Sequence, residues 1–156
     1  MKKPDYVYVI YIATTPEKAW AALTDVDLMR QWWLDPKAGC ARANVSDWKP
    51  GSEWKHRRVD GSGIVDIVGK VVESTPPTRL VFTWARPSEE ADLAKHSRVT
   101  LSIEPYSAGL IRLTAEHDLL DESMLKGISG GWPTVLSNLK TFLETGKALP
   151  YSADTR

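Results

Sequence analysis

The sequence predicts an α+β fold in which a twisted antiparallel sheet is covered by one long C-terminal helix. Three observations lead there. Trp132, Val135, Leu136, Leu139, Phe142 and Leu143 recur at the i, i+3, i+4, i+7 spacing that places side chains on one helical face. Between residues 38 and 118 the pattern changes to period-two alternation broken by turn residues, with no helical stretch in between. A run of strands followed by a helix argues α+β rather than a parallel doubly wound sheet.

Taken in order, residues 6–13 (YVYVIYIA) are β-branched and aromatic and read as a strand ending at Thr14-Thr15. Thr15-Pro16-Glu17 is a helix start, with Thr15 as N-cap, proline at the first helical position and an acid in the first turn. This short helix runs to Leu23 and buries Ala19, Trp20 and Leu23. Asp25 caps a second one over 26–31, which leads into Trp32-Trp33. Residues 38–46 are a weak strand and 53–59 a clear one, with Trp54 and His56 on one face and Glu53, Lys55 and Arg57 on the other. Residues 60–63 (DGSG) form a hairpin turn. Strand resumes over 64–73, is broken by Pro76-Pro77, and returns over 79–84 with Leu80, Phe82 and Trp84 on one face. Residues 86–96 (RPSEEADLAKH) read as a charged, mobile loop. A closing pair, 98–104 and 109–118, surrounds a turn at 105–108 and places His117 beside Ala115, Leu113 and Ile111.

The last helix spans 121–146. Gly146 stands where a left-handed C-cap is expected. Ser137, Asn138, Lys140, Thr141 and Glu144 read as its solvated face, and Met124 and Ile128 extend the apolar stripe. Gly130, Gly131 and Pro133 predict a kink, because proline lacks the N–H and crowds the preceding turn.

Composition bounds the function. The 156 residues suit one domain over 1–156, with a core at about 6–149 and a tail at 150–156. Twenty basic and 20 acidic residues give zero formal charge, which removes the electrostatic case for nucleic acid or an anionic membrane. The single cysteine, Cys40, excludes an internal disulfide and suits a cytoplasmic location. No signal-peptide core precedes residue 15 and no stretch reaches membrane-spanning length, so no membrane insertion is expected. The histidines lie on separate segments without HxH or HExxH spacing, so neither a metal nor another cofactor is expected. No glycine-rich phosphate loop occurs, and no triad is readable, so no residue is assigned as catalytic.

Seven tryptophans against two phenylalanines is an unusual supply of large rings with one polar end. A helix laid across a long twisted sheet cannot close along its whole length, so a cavity between them is expected. The residues on facing positions are Trp32, Trp33, Trp54, His56, Phe82, Trp84, His117, Met124, Trp132 and Leu136. Read one way they line a pocket for a small hydrophobic or aromatic molecule, with the histidines orienting it; read the other way they are core. Buried indole N–H groups need partners, which favours a pocket.

The ordered segments TTPEKAWAALTD, QWW, PGSEW, GKVVESTPPTRLVFTW, RVTLSIEP, TAEHD and GGWPTVLSNLKTFLETG resemble the START-like helix-grip (SRPBCC) superfamily. Within it, the chain is similar to the family of the C-terminal domain of the heat-shock-protein-90 ATPase activator. The resemblance covers roughly 6–149. It implies a curved antiparallel sheet gripping a long C-terminal helix around an apolar cavity, with two short helices after the first strand. It does not imply one activity. Three expectations stay open: binding of a small hydrophobic or aromatic molecule in the cavity between sheet and helix, with no specific role assigned; a cyclase, dehydratase or hydrolase using His56 or His117 as acid–base; and a co-chaperone-like interaction module. The full activators carry an additional N-terminal domain that this sequence does not show. A homodimer is common in such folds, though no dimer motif is readable.

Overall fold

The structure, a computed structural model, describes residues 3–35 and 40–150. Strand β1 (Tyr6–Ile12) is followed by helices α1 (Pro16–Thr24) and α2 (Val26–Trp32). Strands β2 (Leu34–Asp35), β3 (Cys40–Val45), β4 (Glu53–Arg58), β5 (Val65–Thr75), β6 (Arg79–Trp84), β7 (Ser97–Ser107) and β8 (Leu110–Asp118) come next, and helix α3 (Glu122–Thr145) closes the order. The eight strands form one curled sheet in the order β1-β8-β7-β6-β5-β4-β3-β2, every pairing antiparallel. The N-terminal strand therefore closes one edge beside the last strand, and α1 and α2 carry the chain to the other edge.

The helix starts follow the sequence. Thr15 Oγ1 accepts from Lys18 N–H, and Asp25 Oδ1 accepts from Asp27 and Leu28 N–H. Asp121 caps α3 through Met124 N–H, and Gly146 ends it in the left-handed conformation at φ 81°.

Several boundaries differ from expectation. The two-residue β2 was not foreseen; it is too short for periodicity to reveal. Residues 38 and 39 of the weak strand, like 151–156 of the tail, lie outside the described residues. Strand β7 runs through Pro105 to Ser107 rather than stopping at 104, with irregular pairing between Pro105 and Ser107, and the turn narrows to Ala108-Gly109. The 86–96 segment, expected as a charged loop, carries local structure and ion pairs. It contains single 3-10 turns at Pro87–Glu89 and Leu93–Lys95, and Arg86 ion-pairs with Glu89 (3.0 Å) and Asp121 (2.9 Å). His96, which drew no expectation, is buried there; its Nδ1 accepts from Thr83 Oγ1 (2.8 Å) and its Nε2 donates to the Glu90 carbonyl (3.1 Å).

Helix α3 passes through Gly130-Gly131-Trp132-Pro133 as one unbroken helix. Asn138 is fully buried rather than on a solvated face. Its amide donates to the Trp32 carbonyl at the end of α2, and its Oδ1 accepts from Leu149 N–H (2.6 Å). A polar side chain is tolerated there because it satisfies two backbone groups that would otherwise be orphaned.

One glycine is fixed by packing. The Trp54 indole crosses Gly69 to donate to the Thr83 carbonyl at 2.7 Å, and a Cβ at Gly69 would sit 1.9 Å from that oxygen. No helix among the described residues is long and apolar enough to cross a membrane.

Candidate functional site

The inward faces of β4, β5 and β6 supply His56, Ile67 and Trp84, the end of α2 supplies Trp33, and α3 supplies Ile128, Trp132 and Val135. Together they enclose a cavity of about 230 Å³. Arg42 and Asp66 complete one end, and Gly127 and Gly131 of α3 form the rim. Both glycines are exposed, so the cavity reaches solvent beside them.

Four rings make a closed circuit around this space. Ring centroids are 5.0 Å apart for Trp33 and His56, 6.2 Å for His56 and Trp84, 5.8 Å for Trp84 and Trp132, and 6.3 Å for Trp132 and Trp33. All four pairs are tilted, at separations within the usual range of aromatic contacts.

Of the residues expected to line a pocket, Trp33, His56, Trp84 and Trp132 do so. Trp32, Trp54, Phe82 and Leu136 are fully or almost fully buried in the core away from the lining. Met124 is half-buried near the start of α3 and packs against the core edge. His117 stands one layer behind Trp132.

The indole argument also changes. Trp32 donates to the Ala22 carbonyl, Trp48 to the Thr24 carbonyl, Trp54 to the Thr83 carbonyl and Trp132 to His117. The protein itself satisfies these groups, so the abundance of tryptophan does not by itself require a pocket. Trp84 differs from these four: its buried Nε1–H has no partner among the described residues.

The two site histidines do different work. Indole N–H only donates, so His117 Nδ1 accepts from Trp132 Nε1 (3.1 Å) and must carry a lone pair. Its Nε2–H then donates to Ser97 Oγ (2.8 Å), whose hydroxyl donates to the Trp84 carbonyl (2.9 Å). This line of hydrogen bonds ties α3 to β8, β7 and β6 and fixes one tautomer. Burial pushes His117 down to about 4, against a small upward pull from Asp118 and Asp5.

His56 instead donates from Nδ1 to Asn44 Oδ1 on the neighbouring strand (2.6 Å), which leaves Nε2 as an acceptor without a partner among the described residues. Burial, then the nearby Arg42 charge, pushes it down to about 3, with Asp66 pulling the other way. Neither histidine is charged near neutral pH.

Sequence reasoning missed Arg42, Asn44 and Asp66. The Asp66 carboxylate is shared between Arg42 and Arg58, the latter through Nε and Nη2 at 3.0 Å each. Arg58, then Arg42, holds the Asp66 carboxyl below the usual range, with burial opposing. The available signal was the weak strand itself: Arg42 and Asn44 are two apart, so they share a face. His, Cys, Asp and Glu side chains do not gather into a metal-holding group among the described residues.

A curled antiparallel sheet closed by a long C-terminal helix over an aromatic cavity defines a helix-grip α+β protein. The chain belongs to the family described as activator of Hsp90 ATPase homolog 1-like protein, whose model matches residues 13–144. No curated protein matches the sequence. Among solved structures, the Aha1 dimer from Colwellia psychrerythraea is 23% identical with a TM-score of 0.69, over 91% of this chain and 97% of that one. An HSP90 activator from Plasmodium falciparum is 20% identical with a TM-score of 0.68, over 88% and 94%. CalU16 from Micromonospora echinospora is 20% identical with a TM-score of 0.67, over 90% and 76%. At these identities the likeness shows the fold alone.

Proposed function

We propose that the protein binds a small, largely apolar aromatic molecule in the cavity between the N-terminal half of α3 and the sheet. The observation that carries this reading is the Trp33–His56–Trp84–Trp132 circuit around a solvent-reaching cavity of about 230 Å³. An engineered apolar cavity of about 150 Å³ already holds a benzene, so this space suits one or two fused rings. Aromatic walls with a few placed polar groups are the usual make-up of a small-molecule site.

Acid–base catalysis is the weaker reading. A general base works best with a pKa near the operating pH, and burial keeps His56 and His117 far below it. A second reading, partnership with a chaperone, is supported by the family's description and by the Plasmodium relative's being an HSP90 activator. Self-association, the state of the Colwellia protein, belongs to the same second reading.

Titration of the ¹⁵N-labelled protein with naphthalene separates the two. Ligand binding predicts saturable shifts of the Trp33, Trp84 and Trp132 indole N–H signals with those of Trp48 and Trp54 still. If no indole signal moves with naphthalene and an Hsp90 shifts surface amides, the interaction reading replaces it.

A further inference from the structure

The polar atoms around the cavity specify more than a size. Trp33, Trp84, Trp132, Ile67, Ile128 and Val135 make a largely apolar wall for a ring system. His56 lines the same cavity, and its acceptor Nε2 lacks a partner among the described residues, so it is open to a proton from whatever fills the space. The His56 and Trp84 rings lie 6.2 Å apart, centroid to centroid. A hydroxyl supplies that proton on a small uncharged group.

We infer that the ligand is an uncharged one- or two-ring aromatic bearing a hydroxyl, whose O–H donates to His56 Nε2; this rests on the cavity-binding reading above. Asn44 is what makes His56 an acceptor there, because it takes the Nδ1 proton and fixes the tautomer. Asn44 and His56 are directly opposed across the β3–β4 pair, and the backbone N–H of Asn44 is itself held by Met29 Sδ (3.3 Å), so the ring is oriented by packed neighbours.

Charged heads fit less well. At the His56 end a carboxylate would set its lone pairs against that of Nε2, which has no proton to give. An organic cation would enjoy the ring circuit. Against it, the lining carboxylate Asp66 is already engaged by two guanidiniums, Arg42 and Arg58. A methyl ether has the oxygen without the proton and leaves His56 Nε2 unsatisfied.

The test compares naphthalene, 2-naphthol, 2-methoxynaphthalene and 2-naphthoate on the wild-type protein and on His56→Phe, with affinities read from the Trp84 and Trp132 indole signals. One hydrogen bond to an otherwise unsatisfied buried acceptor corresponds to roughly a tenfold effect. We expect 2-naphthol to bind about tenfold more tightly than naphthalene or the methyl ether, with naphthoate weakest. In His56→Phe, the naphthol and naphthalene affinities should fall within about twofold of each other. Equal wild-type affinities for naphthol and its methyl ether, or a preference for naphthoate, overturn the hydroxyl assignment while leaving the cavity reading intact. Naphthol preference that survives His56→Phe also overturns it. Failure of all four probes to bind overturns both. The wild-type ranking stands as a test even where the variant does not fold.

Discussion

The two halves of α3 meet the sheet in opposite ways. In the C-terminal half, Leu136, Leu139 and Asn138 are fully buried, Lys140 Nζ donates to the Tyr11 carbonyl (2.6 Å), and Glu144 accepts from Ala13 N–H (2.9 Å). That half is clamped onto β1 and the α2 end. In the N-terminal half, Gly127 and Gly131 stand one turn apart, and a Cβ added to either would meet nothing within 4 Å. Trp132 is the only large side chain of that half to reach down and hydrogen-bond the sheet among the described residues, through His117. One continuous helix thus divides its labour: the second half holds the fold, and the first half leaves room. The division follows from small side chains in the first half and from polar clamps in the second.

The strongest way to break this contrast is to remove its anchors. Trp132→Ala should cost about 3–5 kcal/mol, the range for deleting a buried aromatic side chain. The variant also leaves His117 Nδ1 without its donor. Leu139→Ala should cost about 2–5 kcal/mol. Chemical denaturation measures both. The two then separate on binding: Trp132→Ala enlarges the cavity and changes naphthalene affinity, whereas Leu139→Ala leaves it within about twofold. If both variants shift affinity equally, the two halves of the helix are one undivided core.

Much of this was legible beforehand, and the gaps have physical causes. The stripe of α3, the caps at Thr15, Asp25 and Gly146, and the alternation of β4, β6 and β8 rest on local periodicity, which a single sequence displays. Asn138 was misplaced because it was sorted by polarity. Its position, three after Val135 and four before Phe142, already put it on the flank of the buried stripe. Arg42 and Asp66 were invisible for a different reason. Their meeting depends on the pairing of β3, β4 and β5, and the β4–β5 register shifts between His56 and Arg57. Counting along the chain cannot supply that shift. All four rings of the circuit were expected to line the pocket. Which six of the ten expected residues would be core or peripheral instead depended on where each indole and each apolar side chain found its neighbours.

The histidines sharpen the comparison through pH. Both have folded values lowered from the usual 6.5, to about 3 for His56 and about 4 for His117. Below about 6.5 the unfolded chain takes up protons that the folded one refuses, so stability falls as the solution is acidified. Each histidine should contribute roughly 1.4 kcal/mol per pH unit between about pH 6 and 4.5. Carboxylates lowered by their partners, such as Asp66 and Asp121, lose their contribution as pH falls from about 5 through their folded values, so the stretch between about pH 6 and 5 belongs to the histidines. Denaturation midpoints of the wild type and of His56→Phe across this window check it. The variant's slope should be shallower by about one histidine's share. An unchanged slope would mean that His56 is protonated in the folded protein.

The smallest expected effect has the opposite sign. Alanine is the better helix former by about 0.8–1.0 kcal/mol over glycine in a helix interior. The space around Gly127, Gly130 and Gly131 admits a methyl group at each. All three alanine variants should therefore be slightly more stable than the wild type, by calorimetry or denaturant. Only two of them should lose ligand affinity. Gly127 and Gly131 form the cavity rim and Gly130 does not, so Gly130→Ala separates helix propensity from occupation of the opening. An affinity loss confined to Gly127→Ala and Gly131→Ala, alongside a stability gain in all three, would show that the glycines keep the cavity open at the expense of the helix. An equal loss in Gly130→Ala would assign the effect to helix stiffness, and the open half of α3 would then be a matter of dynamics rather than of volume.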